Sequence, residues 1–64
     1  MYVIKDVINN VYFKRINNLN NIESGLSYFK TYNSLEKAKT DLKIIRKYSI
    51  GKRSWKIIDR NKIK

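Results

Sequence analysis

The 64-residue chain carries 15 Lys and Arg against 5 Asp and Glu, a formal net charge of +10, and it has neither Cys nor His. A chain of about 60 residues is one domain with a thin core, because folding removes only about 60% of its unfolded surface from water. The composition excludes disulfides, thiolate or imidazole metal sites and histidine general-base chemistry, and it suits a reducing cytosol.

The chain opens as a hairpin. Tyr2 to Val7 and Val11 to Ile16 are rich in β-branched and aromatic residues, and Asn9-Asn10 between them supplies the turn. Asn17 to Gly25 is polar, turn-prone and without period, and is expected to be a loop and the most mobile segment. A third strand is expected from about Leu26 to Tyr32, with Tyr28, Lys30 and Tyr32 on one face and Phe29 and Thr31 on the other. A helix follows, capped by Asn33 or Ser34, with Glu36 in its first turn and Lys43, Arg46 and Lys47 near its end, as the helix dipole favours. Leu35, Ala38, Leu42 and Ile45 fall within an arc of about 80° and form its buried stripe. Gly51 ends a short connection, Ser54 to Arg60 reads as a last strand, and Asn61 to Lys64 as a basic tail. The order ββ(β)αβ predicts an α+β fold, a small antiparallel sheet of three or four strands with one helix packed across it.

The charge is uneven. Residues 1–29 balance at 3 − 2 = +1 and residues 30–64 at 12 − 3 = +9. Eleven Lys beside two Glu exceed what A-rich codons alone supply, so the excess points to an acidic partner surface. Two surfaces can present it. Along the helix, Lys39, Lys43, Arg46 and Lys47 lie between about 20° and 120° past the buried stripe and form a basic ridge, which Glu36 is placed to neutralise in part by pairing with Lys39 or Lys43. On the sheet, if the helix covers Ile4, Val11, Phe13, Phe29 and Ile57, alternation turns Lys5, Tyr12, Lys14, Tyr28, Lys30, Tyr32 and Lys56 outward. Cations interleaved with rings are what a single-stranded nucleic-acid platform uses, the cations holding phosphates and the rings stacking on bases; the same tyrosines also suit an ordinary half-exposed sheet. Lys52 and Arg53 add charge in the connection before the last strand, and Trp55, on the face of Ile57, is expected at the core's edge.

Catalysis finds no support. The five carboxylates are scattered singly, the two glycines lie 26 residues apart, and nothing sets a nucleophile beside a base. No enzyme activity, metal or cofactor is expected. The apolar runs are far short of the roughly 20 residues that span a bilayer, and no signal-peptide pattern opens the chain, so a soluble cytoplasmic protein without membrane attachment is expected.

The segment Ser27-Tyr28-Phe29-Lys30-Thr31-Tyr32-Asn33-Ser34-Leu35-Glu36-Lys37-Ala38, followed by an amphipathic helix and Trp55-Lys56-Ile57-Ile58, resembles a layout common among small phage and mobile-element proteins of AT-rich bacteria. Two groups share it. Small stand-alone inhibitors of host defence, including anti-CRISPR proteins, are similar in size and in lacking catalytic residues. That resemblance implies an inhibitor that meets an acidic surface of a host protein or ribonucleoprotein complex, since a basic chain does not mimic phosphate. Integrase arm-type DNA-binding domains are similar in having a sheet followed by a helix, and imply major-groove binding through Tyr12, Lys14, Tyr28 and Lys30, whereas net charge alone suits direct binding of DNA or RNA. This chain departs from them in its Asn-rich segment and in a strand after the helix. The leading expectation is the phage-type inhibitor, with the nucleic-acid-binding accessory protein as its alternative. A scaffold with Trp55 and the tyrosines buried between subunits is a third reading; the oligomeric state is not legible.

Overall fold

In β1 (Tyr2–Asp6) the residues alternate between two sheet faces, and Asp6 ends the strand by folding its carboxylate back over the turn that follows. Its Oδ1 accepts from the backbone N–H of Ile8 at 3.1 Å and Asn9 at 3.3 Å, and its Oδ2 from Asn9 Nδ2 at 2.6 Å. Asn10 completes the turn at a φ of 58°, the left-handed conformation that Asn adopts more readily than most residues. The chain returns as β2 (Val11–Ile16), antiparallel to β1 with Lys5 opposite Tyr12 and Asp6 opposite Val11. A computed structural model describes residues 1–61, so Lys62 and Lys64 of the expected basic tail lie outside the described residues.

The segment expected to be a loop is a second hairpin. Asn17 closes it with its own side chain, Oδ1 accepting from the N–H of Leu19 and Asn21, and Asn20 stands at a φ of 59°. β3 (Ile22–Gly25) therefore begins at once and pairs antiparallel with β2, Ile16 opposite Ile22 and Phe13 opposite Ser24, with a register shift between Phe13 and Arg15. Across this pair Arg15 Nε donates to Glu23 Oε1 at 2.7 Å. The strand expected at Leu26–Tyr32 is thus displaced to Ile22–Gly25. What remains of it is a short bridging stretch: the Lys30 N–H donates to the Phe13 carbonyl, and Tyr32 exchanges two backbone hydrogen bonds of 2.8 Å with Tyr2.

The helix α1 (Leu35–Tyr48) follows the expected capping chemistry, with the Ser34 side chain accepting from the Glu36 N–H at 3.2 Å. Its buried side is Ala38 and Ile45, flanked by half-buried Asp41, Leu42 and Tyr48, whereas Leu35 is exposed. The helix is therefore rotated toward Asp41 relative to the expected stripe, because Asp41 accepts hydrogen bonds from Tyr32 and Lys30. β4 (Trp55–Asp59) then lies antiparallel to β1, from Tyr2 opposite Asp59 to Asp6 opposite Trp55, and the sheet order is β3-β2-β1-β4. The fold is the expected α+β arrangement, one helix against a four-stranded antiparallel sheet.

The core is Ile4, Phe13, Tyr32, Ala38, Ile45 and Trp55, with Tyr2, Ile16, Ile22, Leu42 and Ile57 packed around it. Phe13 and Trp55 meet edge to face, 6.3 Å between centroids, a geometry that adds to the area both rings bury. Trp55 is fully inside rather than at the edge, and its indole N–H donates to Ser49 Oγ at 3.1 Å. Val11 and Phe29, expected in the core, do not belong to it; Tyr32 takes the place meant for Phe29.

Candidate functional site

Among the described residues three cations are held in ion pairs, and the pairs separate structural charge from available charge. Arg15 pairs with Glu23 across β2 and β3, and the Arg15 and Asn17 hydrogen bonds lower the Glu23 carboxyl below its ordinary value. Lys30 pairs with Asp41 at 3.2 Å. Arg53 pairs with Asp6 at 2.8 Å, and Asp6 is completely buried. Burial pushes the Asp6 carboxyl up, but hydrogen bonds from Arg53, Asn9 and the Ser54 N–H together outweigh it and hold the group well below the usual carboxylate range. The same guanidinium lies 4.3 Å from the Trp55 ring centroid and donates to Ser24 Oγ at 2.9 Å. Arg53 is therefore a clamp joining β1, β3 and β4, not the free surface cation that its sequence position suggested.

Two further residues expected on the exposed sheet face stand elsewhere. Tyr32 is buried against the helix, its hydroxyl donating to Asp41 Oδ2 at 2.5 Å; burial first and the Asp41 carboxylate second raise its phenol far above the ordinary value. Lys30 stands on the same helix side, its ammonium 5.2 Å from the Tyr32 ring centroid. The alternation within Phe29–Tyr32 is as expected but its sense is inverted, which puts Phe29 on the open face and Lys30 and Tyr32 toward the helix. A one-residue slip flips every side chain of a strand, and the displacement of β3 caused this one.

The face of the sheet away from the helix is built from the opposite members of each strand pair. Lys56 lies opposite Lys5, and Lys5 opposite Tyr12, so Lys56, Lys5 and Tyr12 form one row across β4, β1 and β2. Tyr12 is opposite Gly25, which has no side chain; the Lys14 side chain occupies that space, and a Cβ on Gly25 would stand 2.9 Å from Lys14 Cε. Phe29 stacks on Tyr12 with centroids 4.5 Å apart, the Lys5 ammonium is 5.5 Å from the Tyr12 centroid, and the Arg60 guanidinium is 5.2 Å from that of Phe29. Val3, on this side of β1, is 1% exposed, so the charged side chains stand on a packed apolar base.

Lys5, Lys14, Lys56 and Arg60 thus converge around one aromatic pair, and among the described residues none has an ion-pair partner. Directly opposed like charges on neighbouring strands destabilise a sheet by about 0.2–1 kcal/mol. Lys5 and Lys56 are opposite one another in the strand register, with the Lys5 ammonium turned over Tyr12; like charges so placed disfavour the free protein, and an anion bound between them would relieve that cost. Lys5 stands on the outward face that alternation assigns to it, while Arg60 completes the site without any sequence signal.

The helix ridge is the second basic surface. Lys39, Lys43, Arg46 and Lys47 are all exposed, and no Glu36 ion pair forms with Lys39 or Lys43. Arg46 is partly engaged, its Nη2 donating to the Trp55 carbonyl at 3.3 Å, and Lys47 leans over Tyr48. Lys39 and Lys43 extend freely, separated by about 6 Å along the axis at 1.5 Å per residue. Lys52 is exposed in the connection to β4, where its carbonyl accepts from Asn9 Nδ2. An open cleft of 500 Å³ at the start of the helix holds Lys30 and Lys37 together with Glu36 and Asp41, so its charges cancel.

Among the described residues no three acidic side chains gather as a metal site would require, and no helix is long and apolar enough to cross a membrane. Comparison with family models, with curated proteins and with solved structures gives no match to this chain.

Proposed function

We propose that this protein is a non-enzymatic nucleic-acid-binding accessory protein that grips phosphates with the open face of its sheet and acts in the cytoplasm of its host cell. The observation that carries this reading is the Lys56–Lys5 cross-strand pair, flanked by Lys14 and Arg60 and backed by the Tyr12–Phe29 stack. Opposed lysines are unfavourable alone and favourable around a phosphate, which is how a surface selected for binding differs from one selected for solubility. The helix ridge adds a second, longer-range attraction that steers a polyanion toward the molecule.

The test is a titration of labelled oligonucleotides at rising salt. Log K is expected to fall linearly with log salt, by about 0.7–0.9 for each phosphate contacted. K5E/K56E should abolish binding, whereas K39E/K43E/K47E, which spares the Arg46 anchor, should slow association and leave the bound complex intact. Absence of binding at about 50 mM salt would overturn the reading. Capture from host lysate, with and without nuclease, separates it from the phage-type inhibitor: a host protein retained after nuclease treatment would transfer the same basic surfaces to an acidic protein partner.

A further inference from the structure

Tyr28 is 95% exposed and its backbone stands at a φ of 56°. A bulky L-residue enters the left-handed region only against steric opposition, and a full aromatic ring in water gains nothing from burial. The turn between β3 and the Tyr2–Tyr32 bridge takes the left-handed backbone, but the packing makes no use of the ring. The residue of this stretch that packs is Phe29, and the contact that anchors it is the hydrogen bond from the Lys30 N–H to Phe13. Glycine would take the same turn without strain. A conformation held against strain that presents an otherwise unused side chain points from geometry to function.

Its surroundings define the ligand. Tyr28 immediately precedes Phe29, the residue whose ring lies against Tyr12 and beneath the Arg60 guanidinium, so its backbone adjoins the cationic group. Tyr12 and Phe29 lie against one another and against Lys5 and Arg60, whereas the Tyr28 ring, one residue before Phe29, is exposed to solvent. Cations that hold a backbone, with a free ring at their edge, are the two parts of a single-strand site: a base that no neighbour stacks on finds a π-face, whereas in a duplex the bases are already stacked.

We propose that Tyr28 is a base-stacking anchor and that the ligand of the open face is a single-stranded nucleic acid. This inference rests on the phosphate-binding reading above. DNA and RNA single strands share the chemistry, and the probes separate them.

Fluorescence anisotropy with a labelled DNA single strand, an RNA single strand of the same sequence and a DNA duplex of the same length tests it. Wild type should prefer at least one of the single strands to the duplex, and the preferred strand identifies the ligand. Y28A should weaken single-strand binding roughly 5- to 100-fold while leaving duplex affinity and the salt slope unchanged, and Y28F should restore wild-type binding. Y28G should lose the same affinity yet unfold at a higher temperature, because it relieves the left-handed strain; a variant that is both more stable and weaker in binding has not lost its ligand through misfolding. Undiminished single-strand binding by Y28A, or equal losses on strand and duplex, overturns the anchor and leaves the phosphate reading in place. Failure of wild type to bind all three probes overturns the underlying reading instead.

Discussion

Lys5 and Asp6 are neighbours on one strand, project to opposite faces of the sheet, and meet opposite fates. Asp6 faces inward opposite Trp55, is wholly buried, and is met by Arg53, Asn9 and three backbone N–H groups. Lys5 faces outward opposite Lys56, its ammonium over the Tyr12 ring and, among the described residues, without an ion-pair partner. The inner charge is completed within the molecule and holds three strands together. The outer one has no anionic partner among the described residues, which is the feature the proposed phosphate site uses.

The comparison can be broken first from the inside. Asp6→Ala removes one partner of a buried pair and strands Arg53 over Trp55; a loss of about 3–5 kcal/mol is expected, enough to unfold much of a domain this small, read by urea titration. Asp6→Asn should lose less, since the amide oxygen still accepts from the turn. An acid titration gives the second test. The Asp6 carboxyl is depressed in the folded state, so its contribution is fully present above the unfolded value near 4 and is lost as the pH falls below it toward the lower folded value. Wild type should lose stability steeply below about pH 4, and D6N should show a flatter dependence; equal slopes would place the acid sensitivity elsewhere.

From the outside the expected effects are smaller and of opposite sign. Lys56→Glu turns the repulsion with Lys5 into attraction and should stabilise the free protein by about 0.2–1 kcal/mol while lowering oligonucleotide affinity and flattening its salt dependence. A destabilised K56E protein would show that the Lys5–Lys56 juxtaposition carries no strain. Smallest of all is Gly25→Ala, whose new methyl meets only the flexible end of Lys14. Stability should change by less than about 0.5 kcal/mol, with any affinity change confined to the contact that Lys14 makes.

The elements with strong local signals were legible in the sequence. The helix, its Ser34 cap, the first hairpin and the last strand follow from capping chemistry, β-branched runs and turn residues, which act over a few positions. The third strand was misplaced because Asn17 closes its own turn through a side-chain oxygen, a bond that composition does not distinguish from a loop of polar residues. That displacement inverted the faces of Lys30 and Tyr32. Arg53 was read as surface charge because its partner is 47 residues away, and no local pattern connects it to Asp6. Of the candidate surface, Lys5, Tyr12, Lys14 and Lys56 are legible in the chain alone, while Phe29 is expected on the other face and Arg60 acquires its place only through tertiary packing.

Trp55 is the chain's single tryptophan, and it lies in the core beneath the Arg53 guanidinium with its indole N–H on Ser49. Its emission is consequently an intrinsic gauge of one corner of the molecule. Loosening of the Asp6 clamp should alter it before the sheet's far edge responds, whereas a ligand seated on the opposite face should leave it dark to the event, so one chromophore separates the integrity of the scaffold from the occupancy of its surface without any added label.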